Sequence, residues 1–434
     1  MPIHFVLFLI AQAVSQFGTA VSTVGLATLW AVQEAPAFEL ALLLALPAIP
    51  SLLVGPFVGA TAERASLRPY LVCVNLVLGA IACALAWAIA PASGPSALPL
   101  LLGLFTLKEI GNRAFSAGYA RAFGVLSPAT TGRPVMLADV VSQSGAALGA
   151  AVGGLVAIKG NGEVFVIDAA SFVVAGAVIA CLPLPRRAPA LVAAGEEAEV
   201  ARSAAEHVSS NTQVGRLFAA YCTMSLTWAA WDISGAYLFT AAGSAEASGV
   251  ANSGAQVGKM VTGGWLYAQQ LGHSSNKALA SGLVLAGTGV VAGGLGLLGP
   301  SSYAVALLVV LRTLFGITGY LGGNGSYTLM VLDAPAELRA RMAVLVGTVG
   351  TGLIAGGAKL VVGLLNDRFG PATAFLLPSL LGAALSLALC RAEFRTQRRR
   401  LLLVTVTCRL YWAQHAGGLT IAAYRDYLAR MRRI

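Results

Sequence analysis

The sequence predicts an all-α membrane protein: twelve transmembrane helices in two six-helix bundles, followed by a short cytoplasmic tail. Three observations carry this. The 434 residues are 57% hydrophobic and only 11% charged. A soluble domain is nearer one quarter charged, so lipid must be the solvent for most of this surface. Twelve apolar runs can be marked, each close to the roughly 20 residues a spanning helix needs. A long polar interruption at 184–215 divides them six and six.

The runs are 5–32, 37–60, 70–91, 97–119, 134–157, 163–183, 216–241, 248–270, 277–298, 302–325, 341–365 and 371–390. The first is long and has no cleavage pattern after a short apolar core, so it reads as a retained span. Between runs stand turn sequences such as "PASGPSALP", "KGNGE", "LGPSS" and "NDRFGP". The expected organisation is a bundle at 1–185, a cytoplasmic linker at 186–215, a bundle at 216–390 and a basic tail at 391–434. The 50 glycines suit close helix packing in lipid, where small residues let backbones approach.

Orientation follows from loop charge. With the N-terminus in the cytoplasm, Arg64, Arg68, Arg133, Arg186, Arg187, Arg202, Arg339 and Arg341 all lie in inside loops. The opposite loops at 92–96 and 299–301 carry no charge. Both termini are then cytoplasmic, and a bacterial inner membrane is the expected location. The tail holds ten arginines against Glu393 and Asp426, a net +8 of the chain's +10. No nucleic-acid partner is needed to explain that charge. In "LTIAAYRDYLARMRRI", Ile421, Tyr424, Leu428 and Met431 share one helical face with arginine opposite. Such a helix lies on a membrane surface and attracts anionic lipid headgroups. A docking site for a partner is the alternative.

Other chemistry classes find little support. The six cysteines have no CxxC spacing and the four histidines are scattered, so neither a disulfide framework nor a metal site is expected. There is no GxxxxGK[ST], HExxH or GxSxG, which argues against an ATP-driven pump or a membrane enzyme. No cofactor is expected.

Ionisable residues inside spans are costly, and each is a functional candidate. The fourth run holds Lys108, Glu109 and Arg113; Glu109 and Arg113 are four apart and can pair. Asp168 lies in the sixth run and Asp139 near the start of the fifth. The seventh holds Trp228, Trp231 and Asp232, with Trp228 and Asp232 on one face. Lys259, Arg312 and Lys359 lie in the eighth, tenth and eleventh. Two readings stand. Cations outnumber acids, which favours an anionic or zwitterionic substrate. Alternatively the charges pair internally: Glu109 with Arg113, and Asp232 with Lys259 or Arg312. Proton coupling needs an acid whose affinity for protons changes with access, and Glu109 and Asp232 are the candidates. The first run offers Gln12, Ser15, Gln16, Thr19, Ser22 and Thr23 as a hydrogen-bonding wall. Trp228 and Trp231 could stack on an aromatic substrate.

Particular motifs sharpen this. "GATAERASLRP" (Gly59, Glu63, Arg64, Arg68) resembles the second-to-third-span loop signature of the major facilitator superfamily, with Glu63 in place of the usual Asp. The resemblance implies the major facilitator fold and a conformational latch at this loop. The other reading is that the arginines only enforce orientation. "SGAALGAAVGG" places Gly145, Gly149 and Gly153 four apart, with Gly154 beside them. It is similar to the fifth-span signature of the drug–proton antiporters, although Ala150 stands where that signature has Pro. A close helix contact explains the same glycines. "SQFGTAVSTVGLATLW", "FVIDAASFVVAGAV", "DAPAELRARMAVLVGTVGTG" and "GLLNDRFGPATAF" resemble the branch containing macrolide and siderophore exporters. The loop "YAQQLGHSSNK" lacks the acid–Arg signature that many members repeat there.

The resemblance covers 1–390 and implies proton-driven export of a small amphipathic, anionic or zwitterionic molecule by a monomer. A facilitator-type importer or lipid-like carrier is the second reading. A non-transporting receptor is a third, disfavoured by the cost of the deep charges.

Overall fold

The computed structural model describes residues 2–89, 98–126, 133–159, 162–184, 206–269, 275–299, 301–332, 342 and 346–392. These are helical almost throughout, with no strand among the described residues. The helices are α1 (Ile3–Val32), α2 (Ala37–Ala45), α3 (Ala48–Arg64), α4 (Leu67–Ala88), α5 (Leu98–Leu126), α6 (Arg133–Ala157) and α7 (Glu163–Ala180). Then follow α8 (Thr212–Ala241), α9 (Ala247–Gln269), α10 (Ser275–Leu297), α11 (Ser302–Gly319), α12 (Gly325–Leu332), α13 (Ala355–Phe369) and α14 (Pro371–Ala392). Wide π turns join α11 to α12 at Tyr320–Asn324 and precede α13 at Val346–Ile354.

Local chemistry sets these boundaries. Pro47 divides the second apolar run into α2 and α3, because a proline inside a helix removes a donor and crowds the preceding turn. Asn211 starts α8: its side chain accepts from the backbone N–H of Gln213 and Val214. Ser301 does the same for Ala304 at the start of α11. Gly370, at φ +80°, ends α13 in a conformation that glycine adopts without strain.

Among the described residues, seven helices are long and apolar enough to cross a membrane. They are Ile3–Val32, Leu67–Ala88, Leu137–Ala157, Glu163–Ala180, Lys277–Leu297, Tyr303–Tyr327 and Pro371–Ala392. The rest of the helical chain is shorter or more polar. α5 and α8 are long, but they carry the charged and hydroxyl side chains considered below.

Met1–Ser386 is one compact unit. Within it α1 packs on α6 and α7, α4 on α5 and α7, and α3 on α5. In the second half α9 packs on α11, and α8 on α10 and α13. The halves meet where α6 lies against α9, α2 against α13 and α1 against α8. A second unit begins at Leu387, of which the end of α14 through Ala392 is described. The predicted amphipathic tail helix lies outside the described residues.

The glycines of the fifth run are packing residues. A Cβ on Gly145 would strike the Ala13 carbonyl of α1, and one on Gly149 the Phe17 carbonyl. A Cβ on Gly153 would press on Val21, while Gly154 turns to α9 and meets Gly249 backbone to backbone. One side of α6 therefore seats α1, and the neighbouring side seats the second half. This is the close contact that small residues permit in lipid.

Candidate functional site

The deep charges fall into three groups that differ in access. The first is closed. Lys108 Nζ of α5 lies 2.5 Å from Asp168 Oδ2 of α7, and it donates to Ser22 Oγ of α1 at 2.9 Å. Both charged side chains are withdrawn, at 6% and 0% accessible. The Phe165 ring lies 5.7 Å from the ammonium. Three helices are pinned at one point.

The second group is open. Arg113 Nε donates to Glu109 Oε1 at 3.1 Å along α5, with the side chains 36% and 31% accessible. The predicted i,i+4 pair is therefore present. Its surroundings decide its meaning. Glu109, Arg113, Ser116 and Ala120 recur at four- and three-residue steps and are all at least partly accessible. Leu107 and Val125, nearly opposite around the helix, are exposed and uncharged. A lipid-facing surface takes the second set but cannot solvate the first. The Glu109 face is therefore the side of α5 less suited to face lipid. On α1 the same sorting divides the predicted polar wall. Gln12, Gln16, Thr19 and Thr23 are accessible and share a face, whereas Ser15 and Ser22 are buried in helix contacts.

The third group lies in the second half. Lys359 Nζ of α13 is 3.1 Å from Asp232 Oδ2 of α8. Arg312 Nη2 of α11 is 3.9 Å from Asp232 Oδ1, a looser pair. Arg312 is held elsewhere: its Nε and Nη2 donate to Asn252 Oδ1 of α9 at 3.2 and 2.7 Å. Its guanidinium lies over the Trp231 ring at 4.9 Å and the Phe315 ring at 4.7 Å. Lys259 of α9 is also within electrostatic reach of Asp232, without a contact ion pair among the described residues. The Asp232 side chain is 39% accessible, so its carboxylate is not sealed in helix contacts. Of the expected partners of Asp232, Arg312 is present; Lys359, not Lys259, makes the closer contact.

The two tryptophans separate. Trp231 is buried, edge-on to Phe375 at 4.7 Å and stacked by Arg312. Trp228 is half-buried one turn from Asp232, and its ring fills the space beside Gly323 in the π turn.

The loop motif is partly described. Arg68 is exposed at the start of α4. The side chains of Glu63 and Arg64, and the surroundings of Gly59, lie outside the described residues. What holds this corner is Arg121 of α5, which donates to the carbonyls of Ala62 and Ala65. Those are carbonyls that a helix end leaves without intrahelical partners. Nothing in the loop motif points to Arg121.

Two further contacts cross between the halves. Tyr320 hydrogen-bonds the Asp139 carboxylate, which also accepts from Gln143 at 3.2 Å. At the far end of the helices, Asp367 accepts from the N–H of Ala37 at 2.7 Å and of Phe38 at 3.0 Å. Tyr237 Oη donates to Ala35 O at 2.8 Å beside it. An open cleft of about 670 Å³ lies there, lined in part by Glu34, Tyr237 and Asp367.

The family model described as Major Facilitator Superfamily matches residues 8–358. The chain belongs to that superfamily. Solved structures agree on the fold. A point mutant of the nucleoside transporter NupG matches with TM-score 0.70 at 13% identity, over 90% of this chain and 99% of that one. A bacterial homolog of the human lysosomal transporter Spinster, inward-facing and unoccupied, matches with TM-score 0.67 at 13% identity, covering 91% and 98%. A D-xylose–proton symporter matches with TM-score 0.65 at 14% identity, covering 90% and 97%. No curated protein is significantly similar in sequence. As a Major Facilitator Superfamily protein the chain is an integral membrane transporter rather than an enzyme, with a small molecule as its substrate.

Proposed function

We propose that the protein is a secondary active transporter that exports a small amphipathic, anionic or zwitterionic organic molecule by alternating access. Twelve traverses form two six-helix bundles, 1–185 and 216–390, joined by a cytoplasmic linker at 186–215. Both termini are cytoplasmic, in a bacterial inner membrane, and the working unit is a monomer. The bundles rock about a midplane cavity. The observation that carries the substrate class is the third charge group. Around Asp232 stand Lys359, Arg312 and Lys259, and with Asp139 also acting on Lys259 the group keeps one positive charge in surplus. The first half contributes Gln12, Gln16 and the neutral Glu109–Arg113 pair to the opposite wall.

Coupling to protons rests on Glu109 and Asp232, the acids with access to the cavity. Among the solved structures of this fold, the D-xylose–proton symporter is named for such coupling. A siderophore-like metabolite or a drug fits the amphipathic class. A facilitator-type importer or lipid-like carrier is the second reading, favoured by the absence of an acid on α1.

The test uses purified protein in liposomes with an imposed pH gradient and an interior pH dye. Anionic, zwitterionic and cationic metabolites are added in turn. A substrate-dependent proton flux, lost in Glu109→Gln or Asp232→Asn, is the expected result. Saturable binding without proton flux would replace coupled export by an uncoupled carrier or a receptor.

A further inference from the structure

Resting on that transport reading, we propose that Arg312, Lys359 and Lys259 form a site for a ring-bearing carboxylate, with Asp232 as a resident counter-anion that the substrate displaces. The state of Arg312 carries this. It is 7% exposed, and three of its contacts are made by a neutral amide and two aromatic rings. Its Nη1 is buried with no hydrogen-bond partner. A guanidinium is a planar fork that matches a carboxylate through two parallel N–H bonds. Here Asp232 engages the fork at only 3.9 Å, because Lys359 draws the carboxylate the other way at 3.1 Å. A buried donor left unpaired is costly, and a ligand oxygen would satisfy it.

The charge count points the same way. Lys359, Arg312 and Lys259 face Asp232, and Asp139 acts on Lys259 from the first half. Counting both acids leaves one positive charge in surplus. A monoanion closes the count; a cation would worsen it. The ring follows from the walls. Arg312 lies beside the two neighbouring rings of Trp231 and Phe315, and Trp228, packed on Gly323 and Tyr221, stands one turn from Asp232. A flat apolar group attached to the carboxylate would continue that aromatic lining.

Isothermal titration of the full chain in detergent tests this with benzoate, benzamide and benzylammonium. Benzoate should bind saturably while the other two do not. Arg312→Gln and Lys359→Met should each weaken benzoate about tenfold, the loss of one charge-assisted contact. Asp232→Asn should tighten it, since the competing anion is gone. Because Arg312→Gln could impair folding, Lys359→Met serves as the second variant, checked by its elution profile. Equal binding of benzamide, weaker benzoate binding in Asp232→Asn, or no saturable benzoate binding would each overturn the site. Proton flux in liposomes is read separately. A protein that transports but fails these tests refutes the site and leaves the transport reading standing.

Discussion

Lys108 and Asp168 should behave as a structural pin, and the prediction is quantitative. Lys108→Met removes the only cation, among the described residues, in contact with a carboxylate that is 0% accessible. Water cannot replace it. A Cβ at Gly18 would already collide with Ser171 and the Asp168 carboxylate, so α1 leaves no space there. Removing one member of a buried pair costs about 3–5 kcal/mol, because the other charge is left uncompensated. That is roughly two to four decades in the folded-to-unfolded ratio. Replacing both members by apolar side chains of similar shape is a different perturbation. Lys108→Met with Asp168→Leu buries no charge, and such exchanges are often neutral or stabilising. Thermal unfolding in one detergent, with elution profiles as a check, should give a strongly destabilised single variant and a double variant near the parent. The double variant should also keep its proton flux. A single variant as stable as the parent, or a double variant as poor as the sum of its parts, would refute the pin. Loss of flux with stability intact would move the pair into the coupling mechanism.

Other perturbations read separate features. Gly149→Val drives a side chain into the Phe17 carbonyl and should destabilise by about 1–3 kcal/mol. Gly103→Ala, inside α5 and meeting nothing within 4 Å, should not destabilise and should raise stability by up to about 1 kcal/mol. Glu109→Gln should abolish gradient-driven flux while leaving substrate exchange measurable; normal uphill transport would remove Glu109 from coupling. Deleting 391–434 should preserve insertion and flux but lower affinity for anionic vesicles, at about 1 kcal/mol for each arginine at the surface. Unchanged vesicle affinity would reject the surface-helix reading.

Most of the helical layout was legible because lipid imposes a simple demand. Every spanning backbone must satisfy itself, so apolar length alone marks helices such as α1, α4 and α7. The pair Glu109–Arg113 was legible too, since i,i+4 spacing is local. Lys108–Asp168 and Asp232–Lys359 were not, because their partners are 60 and 127 positions apart, and only packing brings them together. Asn252 gave a weak signal: with Gln256 and Lys259 it recurs at helical spacing on α9. Asp367 gave none, as one acid in a short turn looks like any solvated loop residue. The serines of α1 show the limit of polarity as a guide. Ser15 and Ser22 resemble Gln12 and Gln16 in sequence, yet they are buried in helix contacts while the glutamines are partly accessible.

The two halves spend their charges differently, and that difference bears on the reading as transporter. In the first half each deep cation described has a carboxylate at contact distance: Lys108 with Asp168, and Arg113 with Glu109. Such a half carries no uncompensated charge at these positions. In the second half Asp232 is shared by Lys359 and Arg312, with Lys259 beyond them. A folded protein gains nothing from an unbalanced buried charge, because apolar side chains would pack as well at lower cost. A scaffold or receptor with a sealed interior would have no use for it. The imbalance makes sense where a mobile anion periodically completes the set. It also makes the cavity harder to seal when empty, and Asp232 then supplies the missing anion in part. On the proposed transport reading, such a site is tolerable without substrate and better with it.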